Sequence, residues 1–303
     1  IMALGRLNRS DATELFNVSH LAIRTSQEVN GVSRLHGEVS QKMFNELYPD
    51  YNFSESHIGY VTNGVHFDTW VAAEWLDLYK KTFGAGFFED QTNRKYWSKI
   101  QQVPGSVIMG IRHKLKKRLL DWVTKSLHAD LTRRGENPRN IFEIVNSISD
   151  NALVIGFARR FATYKRANLL FTNEKRLAEI VNDPERPVIF IFAGKAHPAD
   201  KGGQEFIRVI YNVTQNPQFK GRVLFLENYS MEMAKLLVQG AEIWLNNPTR
   251  PKEASGTSGM KAVMNGVMNF SVLDGWWCEG YKPGAGCAFH LYRRTGTFFC
   301  HFL

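Results

Sequence analysis

From about residue 150, short continuous apolar segments alternate with segments of helical periodicity, and this alternation restricts the fold more than any other feature. The apolar segments read "ALVIGFA", "PVIFIFAG", "RVLFLEN", "AEIWLNN" and "VMNFSVLDG". Continuous apolar strands separated by helices are typical of a parallel sheet that is covered on both faces. The pattern therefore predicts an α/β fold, in which ligands bind at the carboxyl ends of the strands.

The chain before residue 150 is predicted to be mainly helical. Residues 10–48 have helical periodicity with a break at Asn30-Gly31, and the extended run "HIGYVTNGVHF" follows. The longest helical segment is "SVIMGIRHKLKKRLLDWVTKSLHADLTRRG", for which Gly135 is the predicted stop. The basic cluster Arg112–Arg118 within it is predicted to be the solvated face of that helix.

Composition excludes several classes of protein. A hydrophobic content of 44% and a charged content of 22% are ordinary for a globular protein. No apolar run is long enough to span a bilayer, and the N-terminus has no signal-peptide pattern. Cys278, Cys287 and Cys300 lack zinc-ligand spacing, which favours a reducing, cytoplasmic setting over a disulfide framework.

The net charge of +9 favours an anionic partner. No module for reading nucleic acid is recognisable. A phosphate-bearing small molecule fits the charge as well as a nucleic acid does, and its binding requires fewer cations. The segment "GFARRFATYKRA" places Arg159, Arg160, Lys165 and Arg166 after a predicted strand and at the start of a predicted helix. These cations indicate a phosphate site, because a helix start otherwise prefers anions. A solvated basic turn is the alternative.

Two further segments have both a binding and a purely structural interpretation. Lys195 and His197, in "FAGKAHPAD", either line a cleft at a strand end or are simply exposed. Asn63, His66 and Trp70, in "VTNGVHFDTW", suit a sugar, through amide and imidazole hydrogen bonds and an aromatic wall. The Asn-Gly turn that begins with Asn63 explains the same segment by structure alone.

The segment "PKEASGTSGMKAVMNG" places glycines and hydroxyl side chains just before a helical stretch that contains Lys261. Such a backbone approaches an anion closely, although the order of residues is not that of a P-loop. A lysine near glycine and serine also anchors aldehyde cofactors as a Schiff base. A capped helix start is the alternative, and Glu253 either binds a hydroxylated substrate or favours that helix start.

Together these segments resemble the glycogen/starch (α-glucan) phosphorylase family, whose members use pyridoxal 5′-phosphate. "EASGTSGMK" is similar to the cofactor-lysine signature of that family, and "GFARRFATYKR", "FLENY" and "VNGVSRLHGEVSQKMF" resemble other family segments. "DGWWCEGY" is similar to the shorter bacterial and archaeal type. The resemblance covers roughly residues 10–286.

The resemblance implies roles for the matched residues. Lys261 would form the Schiff base with pyridoxal 5′-phosphate, and Arg160, assisted by Lys165, would hold the substrate phosphate. The residues implied to surround the cofactor are Arg159, Lys165, Thr257, Ser258, Tyr229 and Trp70. The residues implied to bind the glucosyl unit are Glu253, Ser255, Gly256 and Asn63. Arg159 stands where many members have lysine, and Ser230 where arginine often follows the tyrosine.

The implied reaction is phosphorolysis of α-1,4-glucan, whether glycogen, starch or maltodextrin. Its partners would be α-glucan, inorganic phosphate and α-glucose 1-phosphate, with the cofactor phosphate relaying a proton. Arg159, Arg160 and Lys165 would offset the repulsion between two phosphate dianions. The alternatives are a nucleotide-sugar-dependent glucosyltransferase of the glycogen/starch synthase kind and an inactive carbohydrate- or phosphate-binding fragment. The sequence leaves open whether the chain forms a homodimer and how it is regulated.

The resemblance also implies a glycosyltransferase-B architecture, of which this chain would be largely the Rossmann-like C-terminal domain. Residues 1–60 are predicted to be a remnant of the N-terminal domain, and residues 61–286 to be the cofactor and phosphate domain. Residues 287–303 are predicted to be a tail unlike the family. Because family members are much longer, we expect the chain to be an incomplete fragment.

Overall fold

The computed structural model describes residues 1–294 and 297–302 of the chain. Contacts within the chain divide it into two compact units. The first unit comprises Ile1–Gly64, Pro248–Thr257 and Val272–Tyr281. The second unit comprises Val65–Asn247, Ser258–Ser271 and the chain from Lys282 onward. The units are defined by contacts, whereas the predicted domains concern correspondence with longer proteins, so the domain assignment stays a prediction.

The first unit contains short helices and one pair of strands. Its elements are α1 (Val18–Thr25), β1 (Val29–Gly31), α2 (Arg34–Met43), β2 (Ile58–Tyr60) and the last helix of the chain, α12 (Trp277–Gly280). β1 and β2 pair in parallel, with Val29 opposite Ile58. The predicted break at Asn30-Gly31 is confirmed, and the strand β1 occupies it. The Ser33 side chain begins α2 by accepting a hydrogen bond from His36 N.

The second unit contains the main sheet and the longer helices. Its helices are α3 (Phe67–Trp70), α4 (Ala73–Phe83), α5 (Arg94–Ser98), α6 (Gly105–Arg133), α7 (Pro138–Asn146), α8 (Glu174–Val181), α9 (Lys201–Gln215), α10 (Met231–Gly240) and α11 (Thr257–Val263), whose first residue belongs to the first unit. The predicted long helix is therefore confirmed as α6, which ends two residues before Gly135.

The strands of the main sheet are β3 (Leu153–Ala158), β4 (Val188–Ala193), β5 (Val223–Leu226), β6 (Ile243–Asn246), β7 (Met268–Val272), β8 (Cys287–Arg294) and β9 (Thr297–Phe302). Their order across the sheet is β5-β4-β3-β6-β7-β8-β9. The pairs β3–β4, β4–β5, β3–β6 and β6–β7 are parallel, whereas β8 and β9 are antiparallel. Helices flank the sheet, so the predicted α/β class is confirmed, and the layout is consistent with a glycosyltransferase-B-like domain. The predicted tail, residues 287–303, includes residues 295, 296 and 303, which lie outside the described residues.

The strand order identifies where a ligand site is expected. The chain runs from β3 outward through β4 to β5 and then returns to the other side of β3 as β6. In an open parallel sheet, such a reversal of direction opens a crevice at the carboxyl ends of the two central strands. All six residues of β4 are buried, which explains the uninterrupted apolar sequence "VIFIFA".

Two cations of α6 are buried, and the prediction that the whole basic cluster is solvated was wrong for them. Arg112 and Lys116 are each 7% exposed. The Arg112 guanidinium donates to the carbonyls of Gln239 (2.5 Å) and Asn265 (2.9 Å). It also donates to the Ala241 carbonyl. Burial lowers the pKa of Arg112 to about 10, so the residue stays charged at neutral pH.

Replacing Arg112 by methionine is expected to lower the free energy of unfolding by about 2 to 4 kcal/mol, because buried carbonyls lose their donor. Urea denaturation followed by circular dichroism measures the change. Lys117→Met is the matched control, since Lys117 is 62% exposed on the same helix. Equal stability changes for the two variants would contradict this account of Arg112.

Candidate active site

Arg159 and Arg160 directly follow β3, at the reversal of strand order. Arg159 is only 5% exposed, and its backbone N–H donates to Ala193 O at 3.1 Å. Arg160 is exposed, and within the described part of the chain its guanidinium has no hydrogen-bond or ion-pair partner. The two arginines therefore differ in setting, and the charge of Arg160 is available to an anion in solution.

Lys165 and Arg166 belong to the same basic segment as the arginines. The predicted α-helix start is wrong here, because residues Thr163–Lys165 form a short 3-10 turn and Arg166 has a left-handed backbone with φ of 47°. Arg166 Nε donates to Asn247 O at 2.8 Å, and Asn247 Nδ2 donates to Arg166 O at 3.2 Å. These reciprocal bonds attach the basic segment after β3 to the residue that follows β6.

Lys261 lies on α11 with its amine against an aromatic face. Its Nζ atom is 3.7 Å from the centroid of the Trp70 ring, and Trp70 is 9% exposed. Burial lowers the pKa of the Lys261 amine below its ordinary value, although the π face of Trp70 favours the ammonium form. Among the described residues of the second unit, no carboxylate is within ion-pair distance of this amine. An amine in this setting is better suited to act as a nucleophile than to form a structural ion pair.

Asn265 connects the backbones of Lys261 and Trp70, and sequence reasoning missed it. The side chain is fully buried, and its Nδ2 donates to Trp70 O at 2.9 Å and to Lys261 O at 2.8 Å. Its Oδ1 accepts from Ala72 N at 2.8 Å. Asn265 therefore fixes where α11 ends relative to α3. The only signal in the sequence was its position four residues after Lys261.

Asn265→Ala removes all three side-chain hydrogen bonds, and we expect it to lower the free energy of unfolding by about 2 to 4 kcal/mol. The variant is also expected to shift the pKa of Lys261, because the lysine loses its fixed position against Trp70. Urea denaturation and the pH dependence of lysine labelling measure the two effects. Asn151→Ala, at an exposed asparagine, is the control, and identical behaviour of the two variants would contradict the assignment.

Ser258 and Gly259 lie inside α11 rather than in a flexible segment before it. Ser258 Oγ accepts a hydrogen bond from Trp244 Nε1 at 3.1 Å. A Cβ atom at Gly259 would lie 2.8 Å from Asn269 Oδ1, which accepts a bond from Asn246 Nδ2. The glycine is therefore needed for close packing of α11 on β7, and the expectation that it precedes the helix was wrong.

Tyr229 follows β5, and its half-buried ring packs against the core cluster of the second unit. Burial raises the pKa of its phenol, so the hydroxyl is neutral and available as a hydrogen-bond donor. Ser230, where the resemblance led us to expect arginine, begins α10 by accepting a hydrogen bond from Met233 N at 3.2 Å. The departure from the family pattern therefore has a local role as a helix cap.

Glu253, Ser255, Gly256 and Thr257 lie in the first unit, where the loop Glu253–Gly256 is held by backbone contacts. Glu253 N donates to Asp274 Oδ2 at 3.0 Å, and Trp276 N donates to Ser255 O at 2.8 Å. Between them, Ala254 O accepts a bond from Ser33 Oγ at 2.7 Å. The loop is therefore fixed by the segment that follows β7 and by the start of α2.

One side chain of this loop, that of Ser255, has no hydrogen bond within the described part of the chain. Ser255 is 7% exposed, and its Oγ has no hydrogen-bond partner among the described residues. Asn63 is exposed, while its backbone N–H donates to Val32 O at 3.0 Å. A buried hydroxyl without a partner is costly unless a ligand or water completes it, so Ser255 is a candidate to bind one.

The remaining predicted positions are exposed, and both histidines make local hydrogen bonds. Lys195 and His197 are exposed, and His197 Nδ1 accepts a bond from Ala199 N at 3.1 Å. His66 is exposed and begins α3 by accepting from Thr69 N. Within the described ranges, no group of three or more His, Cys, Asp and Glu side chains is arranged to hold a metal ion. In the same ranges, no helix is long and apolar enough to cross a membrane.

Comparison with known proteins identifies the family of the chain. The carbohydrate phosphorylase family profile matches residues 6–280. The chain belongs to the carbohydrate phosphorylase family. It is 44% identical over 280 residues to the maltodextrin phosphorylase of Thermococcus litoralis, covering 92% of this chain and 33% of that protein. It is 41% identical over 296 residues to the glycogen phosphorylase of Aquifex aeolicus, covering 98% of this chain and 42% of that protein.

Membership of the carbohydrate phosphorylase family confirms the predicted resemblance. A third relative, the glycogen phosphorylase of Mycobacterium bovis, is 42% identical over 286 residues, with 94% of this chain and 32% of that protein covered. The chain thus spans between about a third and two fifths of the length of these carbohydrate phosphorylases.

Proposed function

We propose that this phosphorylase catalyses phosphorolysis of α-1,4-glucan to α-glucose 1-phosphate, with pyridoxal 5′-phosphate attached to Lys261. The observation that carries the proposal is the contact between the Lys261 amine and the buried Trp70 ring, at 3.7 Å. A half-buried amine with a lowered pKa is more often neutral than a solvated lysine, and only the neutral amine attacks an aldehyde.

The side chains of the second unit fit this cofactor. The pyridine ring of the cofactor, attached at Lys261, would pack against the Trp70 ring and the neutral phenol of Tyr229. Trp70 belongs to the core cluster of the second unit, and Tyr229 packs against that cluster. Arg159 and Lys165 would supply positive charge for the cofactor phosphate, and the Ser258 hydroxyl would contribute a hydrogen bond. When bound, pyridoxal 5′-phosphate supplies a phosphate group that exchanges a proton with the substrate phosphate.

The chain's own residues would bind and orient the second anion. Arg160 is exposed and has no partner among the described residues, so it is free to bind inorganic phosphate through bidentate hydrogen bonds. Lys165 would assist it. Two phosphate dianions repel each other strongly at short range, and these cations would lower that cost before the glycosidic bond breaks.

The loop Glu253–Gly256, with Asn63, would bind the glucosyl unit through its hydroxyl groups. Support comes from Ser255, whose buried hydroxyl has no partner among the described residues. A sugar hydroxyl would satisfy it, and the carboxylate of Glu253 would accept from another.

The proposal is tested with the protein expressed from its complete gene and loaded with pyridoxal 5′-phosphate. Incubation with maltodextrin and orthophosphate is expected to release glucose 1-phosphate, measured with a coupled dehydrogenase assay. Omission of phosphate is the control and should abolish release. Transfer of glucose from a nucleotide sugar without release of glucose 1-phosphate would instead indicate a synthase-like glucosyltransferase. Binding of glucan without either reaction would indicate an inactive binding protein.

We further propose that the protein acts in a reducing, cytoplasmic setting, as the sequence predicts. Cys278 and Cys287 are free thiols.

A further inference from the structure

A buried carboxylate without an assigned role, Asp274, holds the loop Glu253–Gly256. Asp274 is 3% exposed. Its Oδ2 accepts from Glu253 N at 3.0 Å, and its Oδ1 accepts from Gly275 N at 2.9 Å. Because the two oxygens accept from two different backbone donors, the ionised carboxylate joins the segment after β7 to the residue that begins the loop.

The segment that follows β7 packs closely against the loop Glu253–Gly256 at Gly275 and Trp276 as well. Gly275 has φ of +53°, and a Cβ atom there would lie 2.3 Å from Ser255 O and 3.1 Å from Glu253 O. Trp276 N donates to Ser255 O at 2.8 Å. Asp274 therefore acts next to a second tether, and the two bonds together fix the backbone direction of Glu253 and Ser255.

We propose that Asp274 is a positioning residue that holds the loop Glu253–Gly256 in the conformation that binds a glucosyl unit. The inference rests on the proposed function, which assigns sugar binding to this loop. An ionised Asp274 satisfies both backbone donors. A protonated carboxyl group, or an asparagine, has one good acceptor oxygen and leaves one donor poorly satisfied.

The charges around Asp274 place its titration in an accessible range. Burial raises its pKa to about 6; Glu253 acts in the same direction, and the backbone bonds and Arg250 oppose them. Arg34 and Glu279 also shift the pKa of the neighbouring Cys278 thiol, so their charges lie near Asp274 as well. As pH falls through about 6, Asp274 gains its proton and the tether to Glu253 weakens. Sugar binding is therefore expected to weaken in acid.

The experiment compares wild-type protein with Asp274→Asn, both expressed from the complete gene and loaded with pyridoxal 5′-phosphate. The probe is D-glucose, which has no titratable group between pH 5 and 7.5, and its Kd is measured by ligand-detected NMR. At pH 7.5 we expect Asp274→Asn to bind glucose about fivefold to tenfold more weakly, corresponding to one lost hydrogen bond. Wild-type affinity should fall toward that of the variant at pH 5, while the variant itself stays independent of pH.

Asp200→Asn is the matched control, because Asp200 also accepts from a backbone N–H, that of Gly203, where asparagine caps a helix equally well. It should match the wild type at every pH. Unchanged affinity and an unchanged pH profile in Asp274→Asn would overturn the proposal. If that variant does not fold, the wild-type profile decides, and a Kd that is constant from pH 5 to 7.5 would overturn it. Release of glucose 1-phosphate by the wild type separates this failure from failure of the proposed function.

Discussion

Replacing Lys261 by arginine is expected to abolish attachment of pyridoxal 5′-phosphate and to reduce glucose 1-phosphate release by more than about a thousandfold. Arginine keeps the positive charge and the contact with the Trp70 ring, but it remains protonated and does not form the covalent bond. Absorbance of the desalted protein between 300 and 450 nm, roughly the range of bound pyridoxal compounds, measures attachment.

Lys125→Arg is the matched control, because Lys125 is exposed on α6 of the same unit. It should retain both the absorbance and the activity of the wild type. A Lys261→Arg protein that keeps either property would show that another residue holds the cofactor. Comparable urea midpoints for the two variants would establish that the loss is chemical and not a loss of folding.

Arg160→Gln is expected to reduce kcat/KM for orthophosphate by about a hundredfold to a thousandfold, as does removal of one preorganised donor from a charged site. Arg160 has no partner within the described part of the chain, so its replacement should leave the free energy of unfolding within about 0.5 kcal/mol of the wild type. A large loss of activity without a loss of stability distinguishes a ligand-binding cation from a structural one.

The comparison for Arg160 is Arg139→Gln, at an exposed arginine of α7 that pairs with the nearby Glu143. Initial rates at varied orthophosphate, with maltodextrin held constant, give kcat/KM for each protein. An Arg160→Gln protein with the wild-type value would remove Arg160 from the phosphate site. A stability loss as large as that expected for Arg112→Met would indicate a structural role instead.

The main sheet was predictable because its strands carry local signals. β4 is buried at all of its positions and reads as an uninterrupted apolar run, and α6 stops where Gly135 was predicted to stop it. The burial of Arg112 was not predictable, because its acceptor Gln239 lies 127 residues away in the sequence. A backbone carbonyl leaves no residue-specific signal, so a buried arginine that binds carbonyls looks like any other cation in a helix.

The candidate site was predictable only where its residues belong to recognisable sequence segments. Lys261 and Arg160 belong to segments that resemble a family signature, and the family assignment is confirmed. Asn265 and Asp274 act through backbone groups, and Asn265 reaches Trp70 across 195 residues. Neither periodicity nor spacing marks such positions. The side chains that bond to the backbone of these segments therefore became visible only in the structure.

Lys261 is the residue proposed to carry the cofactor. Borohydride reduction of the protein loaded with pyridoxal 5′-phosphate, followed by peptide mass spectrometry, tests it most directly. We expect a pyridoxyl adduct on the peptide that contains Lys261, and we expect no adduct on that peptide when reduction is omitted. An adduct confined to other lysines, or no adduct at all, would contradict the account.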